Sequence, residues 1–366
     1  MTLTAHARIA VAGGGLLGRL LTWQLLRRGH SVSLYEAGSL SEPKAAAWTA
    51  AGMIAPLSEV VVSERSAYTM GLYALAQWPE WLASLPAPDT GSPLFSRNGS
   101  LLVAHSQDLS ELRQFEQELH HQVQDARYRR LYGRELLDLE PDLNPQFQQG
   151  LLLEDEGHLD NRNVLRALLA ALTALGAELH EHTPVSLAPQ CVTTERETHR
   201  YDLVLDCRGV GAKAQHSAVR GVRGEVLGVQ TTEVTLQRPV RLMHPRYQLY
   251  VVPKPNHCFV IGATQIESED LSPVSLRSSL ELSSALYTLA PAFAEARIID
   301  QGVNLRPAFM DNMPHVTKSE GLITANGLFR HGYLLAPAVV NHILAYLDGE
   351  PELPFADDLT PAPENP

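Results

Sequence analysis

The sequence predicts a mixed α/β protein, α+β overall, that contains two separate sheets. Three observations predict this fold class. The chain opens with an apolar run, a glycine-rich turn, a leucine-rich helical pattern and a second apolar run. Strand-like segments punctuated by Pro and Gly occupy positions 240 to 261. The 366 residues exceed the usual size of one domain, so two domains, or one large domain with an insertion, are expected.

The N-terminal segment predicts a β-α-β unit of the Rossmann type. Ala7–Ala12 is apolar and predicts a strand, and Ser31–Tyr35 predicts the next one. Between them, Leu16–Arg28 carries leucines at helical spacing, and Gly29 follows as a helix terminator. This order of strand, glycine-rich turn, helix and strand opens a dinucleotide-binding fold.

The turn itself, GGGLLG at positions 13–18, has the G-x-G-x-x-G spacing. Gly13 permits the tight turn, Gly15 lets backbone amides approach a diphosphate, and Gly18 allows close packing of helix on strand. Glu36 stands eighteen residues beyond Gly18, at the end of the second strand, where a carboxylate accepts hydrogen bonds from ribose hydroxyls. Because an acid there opposes a 2'-phosphate, the motif predicts FAD or NAD rather than NADP.

The remaining elements alternate between helical and strand-like patterns. Helical spacing or polar helix-prone sequence predicts helices at Gln107–Arg130, Asn163–Leu175, Ser275–Leu289 and Leu334–Leu347. Apolar runs predict strands at Ala177–His180, Leu203–Asp206, Val240–Met243, Tyr247–Val252, His257–Ile261 and Leu322–Ala325. The proline-rich segment Pro351–Pro366 is expected to be a loosely packed extension.

Composition and charge restrict the partners and the location. The formal charge of -12, from 29 Lys and Arg against 41 Asp and Glu, disfavours nucleic acid. Glycines and Arg19 interrupt the apolar stretch Ile9–Leu26, so no integral membrane segment is expected. Cys191, Cys207 and Cys258 show no disulfide or zinc spacing, which favours a reducing, cytoplasmic location, and the sequence offers no metal site.

Further motifs occur along the whole chain in a fixed order. They are Ala46–Met53, Gly157–Asp160, Thr183–Val185, Asp206–Gly211, Arg223–Glu225, Tyr250–Pro253, Gly262–Thr264, Leu305–Pro307 with Asp311 and Pro314, Phe329–Gly332 and Leu335–Pro337. Together they resemble the FAD-dependent glycine oxidases of the thiamine-pathway type, within the D-amino-acid and sarcosine oxidase family. The resemblance extends nearly from end to end.

The resemblance implies a Rossmann-type FAD-binding domain with an inserted substrate domain built on a mainly antiparallel sheet. Carried onto this chain, residues 1–85, 145–220 and 300–366 form a discontinuous FAD-binding domain. Residues 86–144 and 221–299 then form the substrate-binding domain. A homo-oligomer is compatible with this organisation.

The family pattern also implies which residues hold a non-covalent FAD. Small residues before Met53 suit close approach of backbone to a flat ring. The implied FAD contacts are Gly13, Gly15, Leu16, Leu17, Gly18, Glu36, Ala37, Trp48, Thr49, Ala51, Gly52, Met53, Val185, Cys207, Arg208, Gly209, Arg306, Arg330, His331, Gly332, Tyr333 and Leu334.

Substrate residues follow from the same resemblance. Arg306 is the first candidate for the substrate carboxylate, because a guanidinium binds a carboxylate through two parallel hydrogen bonds. Arg330 is the second candidate, and the Tyr250 hydroxyl adds a donor. Met53 and Gln265 are expected to line the substrate pocket.

The implied reaction is oxidative deamination of a small amino acid or secondary amine such as glycine, sarcosine or a D-amino acid. A hydride leaves the alpha carbon for flavin N5, and oxygen accepts the electrons and gives peroxide. Two alternatives stay open within flavoproteins: a dehydrogenase that uses a quinone or another carrier, and a maturation or partner factor with little turnover. A nicotinamide enzyme is the third alternative.

The sequence departs from the family pattern at several positions. Arg208 occupies a turn position that is usually small, and His331 replaces a frequent Asn. Lys254 stands where Arg is common, and Ala325–Leu328 reads Ala-Asn-Gly-Leu instead of the frequent Ala-Gly-His. These departures leave the FAD prediction in place and leave the exact substrate open.

Overall fold

The computed structural model describes residues 6–88, 91–245 and 248–360, and two large sheets organise them. The strands, in chain order, are β1 (Arg8–Ala12), β2 (Ser31–Tyr35), β3 (Met53–Ile54), β4 (Phe95–Ser96), β5 (Ser100–Ala104), β6 (Tyr128–Tyr132), β7 (Gln149–Leu153), β8 (Gly157–Leu159), β9 (Glu178–His180), β10 (Ser186–Ala188), β11 (Cys191–Thr193), β12 (Thr198–Arg200), β13 (Leu203–Asp206), β14 (Arg220–Gln230), β15 (Val240–Met243), β16 (Gln248–Lys254), β17 (Cys258–Gly262), β18 (Arg297–Ala308), β19 (His315–Ser319) and β20 (Leu322–Asn326).

Helices cover these sheets and join their strands. The α-helices are α1 (Leu16–Arg27), α2 (Ala46–Thr49), α3 (Pro56–Val60), α4 (Arg65–Ala83), α5 (Leu109–Gln122), α6 (Arg134–Leu139), α7 (Asn161–Ala174), α8 (Leu276–Leu289) and α9 (Gly332–Asp348). Among the described residues, none of the helices combines the length and the apolar character needed to cross a bilayer.

The first sheet has the order β19-β20-β13-β1-β2-β9. Its strands run parallel except for β19, which is antiparallel to β20. The strands β1 and β13 are buried on both faces, which explains their continuous apolar sequences. One face packs in the core that contains α1, α7 and α9, and the other packs against Leu187 and Val192 of the small antiparallel sheet β10-β11-β12. The structure therefore confirms the predicted β-α-β opening and the Rossmann-type sheet.

The second sheet has the order β18-β14-β17-β16-β15-β5-β7-β6. It is antiparallel throughout except between β5 and β15, which confirms the expected mainly antiparallel sheet. Along β5, Leu101 and Val103 join the core beneath α8, whereas Leu102 and Ala104 join the core beneath α5. This alternation with a period of two is why a helix can pack on each face.

Two predicted segments differ from the structure. The helix expected at Gln107–Arg130 ends at Gln122. Tyr128–Tyr132 forms the strand β6 instead, because these residues pair with β7 at the edge of the second sheet. The tail expected to be loose buries Phe355 and Leu359 against the first core. Residues 361–366 of that tail, and Tyr247 at the start of a predicted strand, lie outside the described residues.

The boundaries between a cofactor domain and a substrate domain stay a prediction. The segments 145–220 and 300–366 were predicted to belong with the first sheet. By strand pairing, however, β7 and β18 belong to the second sheet. We therefore propose that the substrate-binding part of the chain extends to Leu153 and includes all of β18.

Candidate functional site

A cavity of about 760 Å³ lies between the two sheets. Its wall is made by the glycine-rich turn, the segment around α2, strands β14, β16 and β18, and the start of α9. The residues predicted from the sequence that line it are Gly13, Gly15, Leu16, Leu17, Glu36, Thr49, Ala51, Gly52, Met53, Cys207, Arg208, Gly209, Tyr250, Gln265, Arg306, Arg330, His331, Gly332, Tyr333 and Leu334.

Four of the predicted cofactor residues do not line the cavity. Ala37 is exposed, and Val185 joins a separate core cluster while its carbonyl accepts a hydrogen bond from Arg208. The Trp48 indole turns away and lies under the guanidiniums of Arg162 and Arg166, at 5.1 and 5.0 Å from the ring centre. Gly18 packs against the backbone of Gly13 and the side chain of Val11.

The glycine-rich turn leads into the start of α1, whose first residues line the cavity. Gly13 has φ +102, and a Cβ there would lie 2.5 Å from the carbonyl oxygen of Cys207. Gly15 is the N-cap of α1 and supplies no capping side chain, so the first N–H groups of the helix stay available. A Cβ at Gly15 would meet only Ala45, at 3.5 Å, among the described atoms. The residues present therefore fit a diphosphate at this helix start.

The Glu36 carboxylate is fixed at the end of β2 and lines the same cavity. Its Oε2 accepts a hydrogen bond from the Gly14 amide at 2.6 Å, and its Oε1 accepts one from the Gly38 amide at 2.9 Å. Each oxygen retains acceptor capacity for a ribose hydroxyl. This arrangement fits the predicted role of Glu36.

A second helix start also faces the cavity. Gly332, Tyr333 and Leu334, the first residues of α9, line it, and the N-cap His331 provides no capping hydrogen bond. The Tyr333 hydroxyl donates to the carbonyl of Ala47 at 3.1 Å, which ties α9 to the α2 segment. The positive end of the helix dipole suits a group that gains negative charge.

Arg306 projects from β18 into the cavity wall and has no carboxylate partner among the residues that the structure describes. Its Nη1 donates to the carbonyl of Arg223 at 3.3 Å and its Nη2 to that of Thr264 at 3.0 Å. No carboxylate oxygen of the described residues lies within 4.0 Å of its guanidinium nitrogens. Burial lowers the pKa of Arg306, and Tyr250 opposes that shift. Gly224 lies directly against the guanidinium, because a Cβ there would be 2.5 Å from Cζ.

Arg330, the other candidate for the carboxylate, is already paired. Its Nη2 lies 3.0 Å from Oε2 of Glu59, and the same oxygen is 2.8 Å from Nε2 of His331. The Nη2 of Arg241 lies 2.9 Å from the other Glu59 oxygen. The structure thus separates one unpaired guanidinium, that of Arg306, from two that share a carboxylate.

Glu59 and Arg241 are cavity residues that the sequence analysis missed. Glu59 lies on the short helix α3, and Arg241 sits between the apolar residues Val240 and Leu242 of β15. A charged residue inside an apolar strand can indicate a functional site. It is explained equally well by a strand whose side chains alternate between the core and the solvent. Only the tertiary structure shows that both side chains are largely buried, with 13% and 12% of their surface exposed.

Comparison with known proteins gives a consistent result. The family model described as FAD dependent oxidoreductase matches residues 8–347. A Rhizobium etli protein that carries the name thiamine biosynthesis oxidoreductase ThiO is 40% identical over 355 residues, which cover 94% of this chain and 98% of the relative. The glycine oxidase of Bacillus subtilis is 25% identical over 91% of this chain and 90% of its own.

Among solved structures, the glycine oxidase of Geobacillus kaustophilus superimposes with a TM-score of 0.84. The match covers 97% of this chain and 99% of that chain at 23% sequence identity. At this level of identity the superposition establishes the fold alone.

Proposed function

The chain belongs to the FAD dependent oxidoreductase family, and from that premise we propose that it deaminates a small amino acid or secondary amine oxidatively. FAD is its cofactor. The name glycine oxidase, which several relatives carry, supports glycine as substrate, and we extend the proposal to sarcosine and small D-amino acids because they share its carboxylate and its amine. In each case the substrate carries one carboxylate beside the carbon that is oxidised.

The observation that carries this proposal is the unpaired guanidinium of Arg306. A desolvated cation without a carboxylate partner is costly, and binding an anion from solution compensates that cost. A planar guanidinium binds a carboxylate through two hydrogen bonds, so it fixes both the position and the direction of the substrate. The Tyr250 hydroxyl, whose pKa burial raises, stays protonated and can donate to the same carboxylate.

The remaining residues hold the cofactor or shape the pocket. The α1 amides at Leu16 and Leu17 bind the diphosphate, and Glu36 accepts from the ribose hydroxyls. Met53 and Gln265 line the substrate end and limit the size of the side chain that fits. When bound, FAD supplies the acceptor for the hydride that leaves the alpha carbon. The product imine then takes up water and gives an oxo acid, with release of ammonia from a primary amino acid or of the corresponding primary amine from a secondary one.

The substrate amine must be neutral to release a hydride. Glu59 and His331 line the cavity but are already paired with each other and with guanidiniums, so we expect the amine to lose its proton to solvent. Activity should therefore rise as pH increases from neutral to alkaline. A flat profile of kcat/KM over that range would contradict this step.

The experiment that tests the proposal is anaerobic mixing with candidate substrates. Glycine, sarcosine and D-alanine are each added to the oxidised holoenzyme, and loss of the flavin absorbance reports reduction. Arg306→Ala should retain FAD and raise the KM about a thousandfold, because the substrate loses a charge-assisted, two-point contact. Arg220→Ala is the matched control, since Arg220 pairs with Glu267 and does not line the cavity.

Two outcomes would decide against the proposal. If none of these amines reduces the flavin, the chain is better described as a flavoprotein with little turnover of its own. If Arg306→Ala behaves like Arg220→Ala, the carboxylate site lies elsewhere. With an active amine, peroxide formed in a one-to-one ratio to substrate identifies oxygen as the acceptor, whereas turnover only with added quinone identifies a dehydrogenase.

A further inference from the structure

The Glu59 carboxylate lies in the cavity wall between two guanidiniums. Its Oε1 is 2.9 Å from Nη2 of Arg241, and its Oε2 is 3.0 Å from Nη2 of Arg330. The Nε2 of His331 approaches the same Oε2 at 2.8 Å. All four residues line the cavity that holds Arg306.

Glu59 is held in its charged form despite being largely buried. Burial alone would raise the pKa of this carboxyl, but Arg330, His331 and Arg241 together hold it well below its usual range. The group therefore remains an anion at every pH at which the enzyme is expected to work. Its charge is a fixed feature of the cavity.

The position of Glu59 is fixed as well. It lies in α3, where the preceding residue in the chain is Ser58. The Ser58 amide donates to Oε1 of Glu156 at 2.6 Å, and the Ser58 hydroxyl donates to Oε2 of Glu156 at 3.0 Å. Glu156 is fully buried. Because Pro56 begins the helix and Glu156 binds its first turn, Glu59 has little freedom to move away from its partners.

Glu59 neutralises part of the positive charge of the cavity. Arg241, Arg306 and Arg330 are the guanidiniums around Tyr250. Glu59 contacts two of them, and Glu156 lies close enough to Arg241 to raise the pKa of its guanidinium. Burial raises the pKa of Glu156 to about 7, so above that value two carboxylates balance Arg241 and Arg330. Of these three guanidiniums, only that of Arg306 has no carboxylate within ion-pair distance among the described residues.

We propose that Glu59 is a specificity-determining residue that restricts the site to substrates with a single carboxylate. The inference rests on the proposed function, since it takes Arg306 as the carboxylate ligand. Glu59 pairs with Arg330, the guanidinium that would otherwise bind a second carboxylate, and with Arg241 beside it. Its own negative charge also repels such a group, because two like charges a few ångströms apart inside a protein repel each other by more than thermal energy.

Replacing the charge should open the site to dicarboxylates. In Glu59→Gln the side chain keeps its shape, but Arg330 loses its anionic partner and becomes available, whereas Arg241 keeps the nearby Glu156. The affinity for a dicarboxylate should then rise relative to that for a monocarboxylate. The same change should shift turnover from glycine toward iminodiacetate, a secondary amine with two carboxylates.

The test uses unreactive ligands, so that binding is separated from chemistry. Acetate and malonate are titrated into the oxidised holoenzyme at pH 8.5, and the perturbed flavin spectrum reports binding. The wild type should bind acetate more tightly than malonate. In Glu59→Gln the affinity for malonate relative to that for acetate should rise at least about tenfold. The free energy of such a change is only a fraction of the Coulomb energy of one close charge pair.

A matched control removes a different carboxylate from the same cavity. Glu281 lines the cavity but is exposed and forms no ion pair with the three guanidiniums. Glu281→Gln should leave the ratio within about twofold of the wild type, because water screens an exposed charge. An equal shift in both variants would overturn the specific role of Glu59.

A second variant keeps the inference testable if Glu59→Gln does not fold. Arg330→Gln leaves the Glu59 charge less compensated, so the ratio should move the opposite way, toward acetate. An unchanged ratio in either variant overturns the inference. If Arg306→Ala leaves acetate binding unchanged, the proposed role of Arg306 as carboxylate ligand is wrong. That result distinguishes a failure of the proposed function from a failure of the role inferred for Glu59.

Discussion

Gly224 determines whether the Arg306 guanidinium can lie in the cavity. A Cβ at this position would be 2.5 Å from both Cζ and Nη2 and 2.7 Å from Nη1, far inside contact distance. We predict that Gly224→Ala displaces the guanidinium and raises the KM for amino-acid substrates at least about tenfold, with FAD still bound.

Steady-state kinetics and the flavin spectrum measure this effect. Gly211→Ala is the control, because its Cβ would meet only Arg208 Cβ at an ordinary 3.6 Å. An unchanged KM in Gly224→Ala would show that the carboxylate does not depend on the placement of Arg306.

The buried Glu156 carboxyl gives the protein a pH-dependent stability. Its pKa is raised by burial from 4.5 to about 7, so between these values the folded chain binds more protons than the unfolded chain. The contribution of Glu156 to the free energy of unfolding therefore falls as pH rises through that window, by about 3 kcal/mol in total.

Comparison with Glu156→Gln isolates this contribution. Urea denaturation of both proteins from pH 4 to pH 8 should show the wild type losing stability relative to the variant as pH rises. Parallel curves would mean that Glu156 ionises at its ordinary pKa in the folded protein.

Single residues also show the limit of sequence reasoning. Arg306 and Tyr250 were found because they stand in motifs with a defined spacing. Glu59 and Arg241 were missed because a lone charged residue has no local mark of burial. Their partner Arg330 lies hundreds of residues away along the chain from Glu59, so the pairing is a property of the fold.

At the scale of elements, α1 and β1 depend on the absence of a side chain at Gly18. A Cβ there would lie 1.9 Å from the carbonyl oxygen of Gly13 and 3.4 Å from Cγ1 of Val11. We predict that Gly18→Ala pushes α1 away from the sheet, destabilises the protein by about 1–3 kcal/mol and weakens FAD binding. Urea denaturation and FAD titration of the apoprotein measure the two effects.

Gly15→Ala provides the contrasting variant. Its Cβ meets only Ala45, at 3.5 Å, so the fold should keep its stability. The methyl group would nevertheless stand between the α1 amides and a diphosphate, so FAD affinity should fall. If both variants lose stability equally, the separate roles assigned to these glycines are wrong.

Elements differed in how well the sequence predicted them. The β-α-β opening has local signals at every step, and β1, α1 and β2 were predicted within one or two residues of their ends. The order of strands in the second sheet had no such signal, because β14 pairs with β18 across many intervening residues. The end of α5 was missed for a related reason, since β6 exists only through its pairing with β7.

At the scale of the whole molecule, the cavity separates the two sheets, and FAD is expected to contact both. We predict that removing FAD lowers the thermal stability, because a ligand that binds only the folded state stabilises it. At a free FAD concentration a thousand times its Kd, this stabilisation is about 4 kcal/mol.

Thermal unfolding of apoprotein and reconstituted holoenzyme measures the difference. The transition of the holoenzyme should move upward as more FAD is added, whereas NADP at the same concentration should leave the apoprotein unchanged. Identical transitions with and without FAD would show that the cavity is not the cofactor site.

The position of Trp48, beside the cavity but not lining it, gives the protein an intrinsic fluorescent reporter of FAD binding. Trp23, Trp78 and Trp81 are buried in the core in edge-to-face contact, whereas Trp48 is half-buried at the edge of that core, beneath two guanidiniums, and is followed by the cavity residue Thr49. Indole emission overlaps the absorption of an oxidised flavin, so energy transfer dims this tryptophan whenever the cofactor arrives. Subtracting the emission of Trp48→Phe leaves one local reporter of cofactor occupancy, with no added dye.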